Sequence, residues 1–137
     1  MPFEPLEDKR VYQRAETVAD AVWEMCESWS SFAKYNVGSQ LVRAADSIGN
    51  NVAEAGGRFH PADVCNFFYF ARGSLYETRF LLRRAIKRKL INQAQFDAVS
   101  TELDQLAKEI NACISYQRTR STKPRQRPDD QPEKQTR

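Results

Sequence analysis

Histidine is almost missing from this chain: among 137 residues there is one, His60. A ferritin-like di-iron bundle needs paired Glu-x-x-His motifs pointing inward, so that class is excluded. Ser-His-Asp and Cys-His catalysis fall with it, because no imidazole stands on an apolar helical stripe to serve as base. Glycine and proline are scarce as well, five and six residues, and most of the prolines lie near the two ends. The middle of the chain therefore lacks the turn punctuation that a sheet of short strands requires. No glycine loop ends in Lys-Ser or Lys-Thr, and no Gly-x-Gly-x-x-Gly follows a strand pattern, so nothing supports nucleotide cradling by backbone amides. Apolar runs stay well short of the roughly 20 residues that cross a bilayer. The opening, Met1 to Arg10, is acidic with two prolines, unlike a secretory signal. These lacks make a cytoplasmic protein with no membrane partner and no cofactor the expectation. The three cysteines, Cys26, Cys65 and Cys113, are odd in number, far apart, and in or beside apolar helical positions. Buried free thiols fit them better than a disulfide framework or a metal site.

What the chain does have is apolar residues at helical spacing. With 41% apolar and 11% aromatic residues it can build one packed core. Val11, Ala15, Val18, Val22, Met25 and Trp29 alternate steps of four and three and predict a first helix. Ser30 to Gly38 interrupts the pattern. Ser39 is placed to cap a second helix carrying Leu41, Ala44 or Ala45, Ile48, Val52 and Ala55, which Gly56 and Gly57 end. Pro61 and Asp63 suit the first turn of a third, and Val64, Phe68, Ala71, Leu75, Thr78, Leu82 and Ala85 carry it to about Lys89. Phe67, Phe70 and Leu81 widen its apolar face, and it is expected to be the longest element. Asn92 and Gln95 have capping-box spacing ahead of a heptad seam of Phe96, Val99, Leu103, Leu106, Ile110 and Cys113. Short connections make successive helices antiparallel neighbours, so the expected fold is all-α, an antiparallel up-and-down four-helix bundle. Residues 1–117 form that domain. Residues 118–137 lack apolar side chains to offset the entropy of ordering and are expected to be a disordered basic tail. That tail holds seven Lys or Arg against three acids, so the net charge of +3 lies there and the remainder sums to −1.

Two stretches carry a resemblance. The first runs from Gln40 to Arg58, with Arg43, Ser47, Asn51 and Glu54 along it. The second runs from Phe67 to Glu77 through Ala71, Gly73 and Ser74, followed by Leu81 and Leu82. Together, within a likeness from about Val11 to Tyr116, they resemble the bacterial four-helix bundle family first noticed in intervening sequences of 23S rRNA genes. That resemblance implies a homo-oligomer, typically a pentameric ring of bundles, and no known enzymatic activity. Some relatives are accessory proteins of diversity-generating retroelements that bind nucleic acid and partner a reverse transcriptase.

The residues have a physical reading of their own. Ala44, Ala45, Ser47, Gly73 and Ser74 are small, which lets the second and third helices approach closely where these positions face each other. Arg43, Glu54, Arg72 and Glu77 lie along the same two helices and are expected to form ion pairs that set helix register, in preference to a catalytic carboxylate pair. Arg72, Tyr76, Arg79, Arg83 and Lys87 recur at steps of four and three, with Arg84, Arg88 and Lys89 broadening the end of the stripe. Such a face suits a phosphate backbone, with Tyr76 stacking on a base. The plainer reading is that cations gather at a helix C-terminus because its dipole favours them. Glu16, Asp20, Glu24 and Glu27 make an acidic stripe on the first helix, and docking of that stripe onto the basic one of a second copy would close a heterologous ring. The expected function is therefore non-enzymatic: a homo-oligomer binding RNA or DNA through basic surfaces, or alternatively a scaffold partnering a reverse transcriptase.

Overall fold

A computed structural model describes residues 5–122. Among them are four long helices and no strand: α1 (Arg10–Glu27), α2 (Ser39–Gly56), α3 (Pro61–Lys87) and α4 (Gln93–Thr122). A single 3-10 turn, Leu6–Asp8, precedes α1. Helices α1 and α3 each pack against both α2 and α4, so they stand at opposite corners of a four-cornered bundle. The antiparallel up-and-down topology expected from the apolar stripes is the one observed.

The stripes account for the packing. Val11, Ala15, Val18, Val22 and Met25 of α1 are buried, as are Leu41, Ala44, Ala45, Ile48, Val52 and Ala55 of α2. They meet Phe68, Ala71, Leu75 and Leu82 of α3 and Val99, Leu103, Leu106, Ile110 and Ile114 of α4 in one continuous core. Each fully buried Leu or Ile contributes about 1.5–3 kcal/mol relative to exposure. Among the described residues Thr78 is the one fully buried polar residue, and its hydroxyl is satisfied by donating to the Ser74 carbonyl at 2.8 Å.

The helix starts follow local chemistry. Pro61 occupies the first turn of α3, where its missing N–H is no loss. Asn92 and Gln95 form the expected capping box: Gln95 N–H donates to Asn92 Oδ1 at 2.8 Å, and Asn92 N–H donates to Gln95 Oε1 at 3.0 Å. Helix α3 ends at Lys87, two residues before the expected boundary, in a Schellman turn. Leu90 N–H donates to Ala85 O and Lys89 N–H to Ile86 O, with Lys89 left-handed at φ 61°.

Three expectations need correction. The break expected over Ser30 to Gly38 is helical, and the N-cap is Ser30, whose Oγ accepts the Ala33 N–H at 3.3 Å. Ser39 caps nothing; it has helical dihedrals, φ −57° and ψ −45°. A one-turn α segment, Ser31–Ala33, leads into a π turn, Lys34–Gly38, and that turn runs directly into α2. The apolar order explains it: Trp29, Ala33, Val37 and Leu41 are all buried at steps of four, wider than the alternating steps of α1, and a π turn absorbs the extra residue. At the end of that turn Gly38 lies against the Trp29 ring, where an added β-carbon would be in ordinary contact at 3.5 Å.

The second correction is that α4 continues through Thr122, which makes it, and not α3, the longest helix. Residues 118–122 of the expected tail are helical because Arg118 donates to the Tyr69 hydroxyl and Arg120 to the Phe59 carbonyl, anchoring a turn that has no apolar burial. The rest of the expected tail, 123–137, lies outside the described residues. Third, Phe70 does not widen the apolar face of α3; it is 58% exposed.

Candidate nucleic-acid interface

The outer face of α3 is where cations and aromatics meet. Its residues at steps of four, three and four, Tyr76, Phe80, Arg83 and Lys87, fall within one narrow sector of the helix. Tyr76 and Phe80 are each 61% exposed, and Arg83, Lys87 and Arg88 are exposed. Among the described residues, no carboxylate lies within 4.0 Å of Arg83, Lys87 or Arg88. Arg84 is half-buried, with its guanidinium 5.6 Å above the Phe80 ring. Near the end of the helix, Arg83, Ile86 and Lys87 line a groove of about 380 Å³ with Gln93 and Phe96 of α4.

Two members of the basic stripe expected from sequence are drawn away from this face. Arg79 Nη1 is bonded to Asp104 Oδ1 of α4 at 2.8 Å. Arg72 Nη1 donates to Asn111 Oδ1 at 3.2 Å while its guanidinium lies 5.0 Å over the Tyr69 ring. Both tie α3 to α4 and are partly neutralised or occupied there. The stripe is thus shorter than its spacing suggested, and Phe80, which the step count passed over, takes its place beside Tyr76.

The expected register pairs of Arg43, Glu54, Arg72 and Glu77 do not form. Glu54 meets Arg58 instead, within its own helix end, at 3.5 Å and exposed, an interaction worth a few tenths of a kcal/mol. Glu77 and Arg43 are exposed with no opposite charge within 4.0 Å among the described residues. The α2–α3 crossing is bridged by small hydroxyl groups, Ser74 Oγ donating to Ser47 Oγ at 2.9 Å, while within α2 Asn51 Nδ2 donates to the Ser47 carbonyl at 2.8 Å. Neutral hydrogen bonds between small side chains need less room than a carboxylate and a guanidinium, so the charges are left outside. Gly73 takes no part in that crossing; a β-carbon there would meet nothing within 4 Å.

The ionic lock between helices lies elsewhere. Arg14 of α1 bridges two carboxylates of α4, Glu109 at 2.8 Å through Nε and Glu102 at 2.9 Å through Nη1. The Glu109 carboxylate, ahead of Glu102, holds this guanidinium above its ordinary pKa against the opposing effect of burial. Glu102 and Glu109 are one heptad apart, which was the available signal in sequence. The acidic stripe of α1 is intact: Glu16, Asp20, Glu24 and Glu27 are all exposed, and none has a cation within 4.0 Å among the described residues. It therefore occupies the corner diagonal to the basic end of α3.

All three thiols are free. Burial pushes the Cys26 thiol up to about 11 despite the opposing charge of Lys34, and burial likewise raises Cys113. Among the described residues, no group of three His, Cys, Asp or Glu side chains is placed to hold a metal ion, and no helix is long and apolar enough to cross a membrane.

Fold and surface together define a small antiparallel four-helix bundle protein whose charged chemistry is displayed on outer helix faces. The chain belongs to the 23S rRNA-intervening sequence protein family, whose model matches residues 7–112. It is similar in fold to a crystal structure of a protein of unknown function from the S23 ribosomal protein family of Bacteroides thetaiotaomicron. That likeness has a TM-score of 0.68 at 21% identity, covering 76% of this chain and 97% of the other. No curated protein matches the chain.

Proposed function

We propose that this protein is a non-catalytic, cytoplasmic binding module that works as a homo-oligomer, a ring of bundles with five copies favoured by family resemblance, and takes RNA or DNA on the outer face of α3. The observation that supports it is the concentration of unpaired cations, Arg83, Lys87 and Arg88, beside exposed Tyr76 and Phe80. Cations contact phosphates without regard to sequence, and exposed rings offer a stacking surface to any base. The dipole of α3 favours cations in its last turn only, and so does not account for the aromatic part of the face.

The test is Arg83→Glu with Lys87→Glu, measured by fluorescence anisotropy on labelled oligonucleotides across a salt series. Loss of two phosphate contacts lowers the slope of log affinity against log salt by about 1.8 on duplex DNA. An unchanged affinity and slope would remove the reading. Truncation after Thr122 leaves α4 whole and separates this face from Lys123, Arg125 and Arg127.

The diagonal placement of the acidic and basic faces favours a second reading, in which α1 of one copy docks on α3 of the next. The same double variant then dissociates the oligomer in light scattering. A scaffold for a reverse transcriptase is the alternative role, recognised by partner binding that survives nuclease treatment.

A further inference from the structure

The π turn that replaces the expected break has a consequence for the surface beside it. Ser39 N–H donates to Lys34 O, five residues back, so this turn is wider than an α turn. Between it and the last turns of α1 lies a cleft of about 330 Å³, at the lower end of the range of small-ligand sites. Its walls are largely apolar: Trp23 and Cys26 from α1, Gly38 from the π turn, and Val42 from α2. Trp23 is 57% exposed, so its ring is open to a ligand from the solvent side.

The charges at this cleft are not balanced. Lys34 and Arg43 line it, and neither has a carboxylate within 4.0 Å among the described residues. Glu27, the one acid in the lining among the described residues, is engaged in accepting the Trp23 indole N–H at 2.8 Å. That bond ties up the indole N–H and leaves the ring face open. An apolar trough with a held indole on one wall and two uncommitted cations suits a ligand with a flat apolar body and one negative charge. It suits a neutral ligand less well, and a polyanion needs more cations than two.

We propose that this cleft binds a small aromatic carboxylic acid, its ring against Trp23 and Val42 and its carboxylate toward Lys34 and Arg43. The site is separate from the α3 face, and the inference does not depend on nucleic-acid binding.

The test uses the full chain with 2-naphthoate as probe and 2-naphthylmethanol as its uncharged counterpart. Binding is measured by calorimetry, and its location by the two indole N–H signals in an NMR titration. The expected result is saturable binding of the acid that moves the Trp23 signal and leaves that of buried Trp29 in place. The acid should bind roughly tenfold more tightly than the alcohol, the usual worth of a charge-assisted hydrogen bond. Arg43→Gln and Lys34→Gln, at exposed positions that make no ion pair, should each weaken the acid about threefold, sharing that tenfold advantage, and leave the alcohol unchanged. Val42→Glu should abolish acid binding at unchanged helix content. No saturable binding at millimolar probe, equal affinity for acid and alcohol, or unchanged affinity in both cation variants would each overturn the proposal.

Discussion

Replacing Gly73 by alanine adds one methyl group to the middle of the outer face of α3. A helix-interior glycine loses more backbone freedom on folding than alanine does, at a cost of about 0.5–1 kcal/mol. A β-carbon at this position would touch nothing within 4 Å, so the substitution carries no steric penalty and buries nothing. The whole propensity difference should therefore appear as stabilisation, about 0.5–1 kcal/mol, which for a domain of this size raises Tm by about 2–5 °C. Urea unfolding followed by circular dichroism is the assay, with the midpoint rising at constant m-value, repeated at low and high protein concentration. A loss of stability, or a gain at low concentration that turns into a loss at high concentration, would refute the reasoning. Either result would mean that another backbone lies against Gly73 in the assembled protein, and α3 would then be a subunit contact between Phe70 and Phe80 instead of an open face.

Lys89→Gly should stabilise by roughly 0.5–1 kcal/mol in the same assay, because glycine removes the left-handed strain at the end of α3 and loses part of that gain to unfolded-state entropy. Arg14→Met should destabilise by about 1 kcal/mol, since it leaves Glu102 and Glu109 near each other without a cation in a partly solvated site, and adding Glu102→Gln with Glu109→Gln should restore most of the loss. Ser30→Ala should cost about 1 kcal/mol by removing the cap ahead of the π turn, again read from the urea midpoint. The Cys26 thiol should resist iodoacetamide at pH 8 and react increasingly as pH approaches about 11. The same shift makes stability fall above the ordinary thiol pKa of 9.0, since the unfolded chain ionises there first, and the fall should level off near 11.

Four helices and their core faces were legible because each stripe repeats over several turns, and burial of an apolar face decides helix position more strongly than any single residue. The capping box at Asn92 was legible for a related reason: its partners are three residues apart, and local geometry alone joins them. Segment 30–38 was not legible as helix because Ser30, Ser31, Lys34, Asn36 and Gly38 interrupt its apolar residues. Ala33 and Val37 at steps of four were the signal for continuity, and a π turn was needed to keep them in register. Gly73 and Ser74 are neighbours in sequence but lie about 100° apart on the helix, so only Ser74 reaches Ser47. The charged pairs were the least legible. Arg72 and Arg79 sit on the basic stripe by spacing, yet both turn to α4, because an Asn and an Asp there fall within reach of their long side chains. Spacing gives the direction of a Cα–Cβ bond, not the end point of a flexible arm.

Acids concentrated along α1 and bare cations along the far end of α3 give the single subunit a transverse electric moment. Near any highly charged anionic polymer, such a body experiences a torque as well as a pull, and rotates until α3 leads and α1 trails. At 0.1 M salt the torque acts only across the last ~10 Å of approach, so it orients a molecule already arriving and does little to gather distant ones. One outcome of that rotation is that Glu16, Asp20, Glu24 and the exposed side of Trp23 end up turned to open solvent.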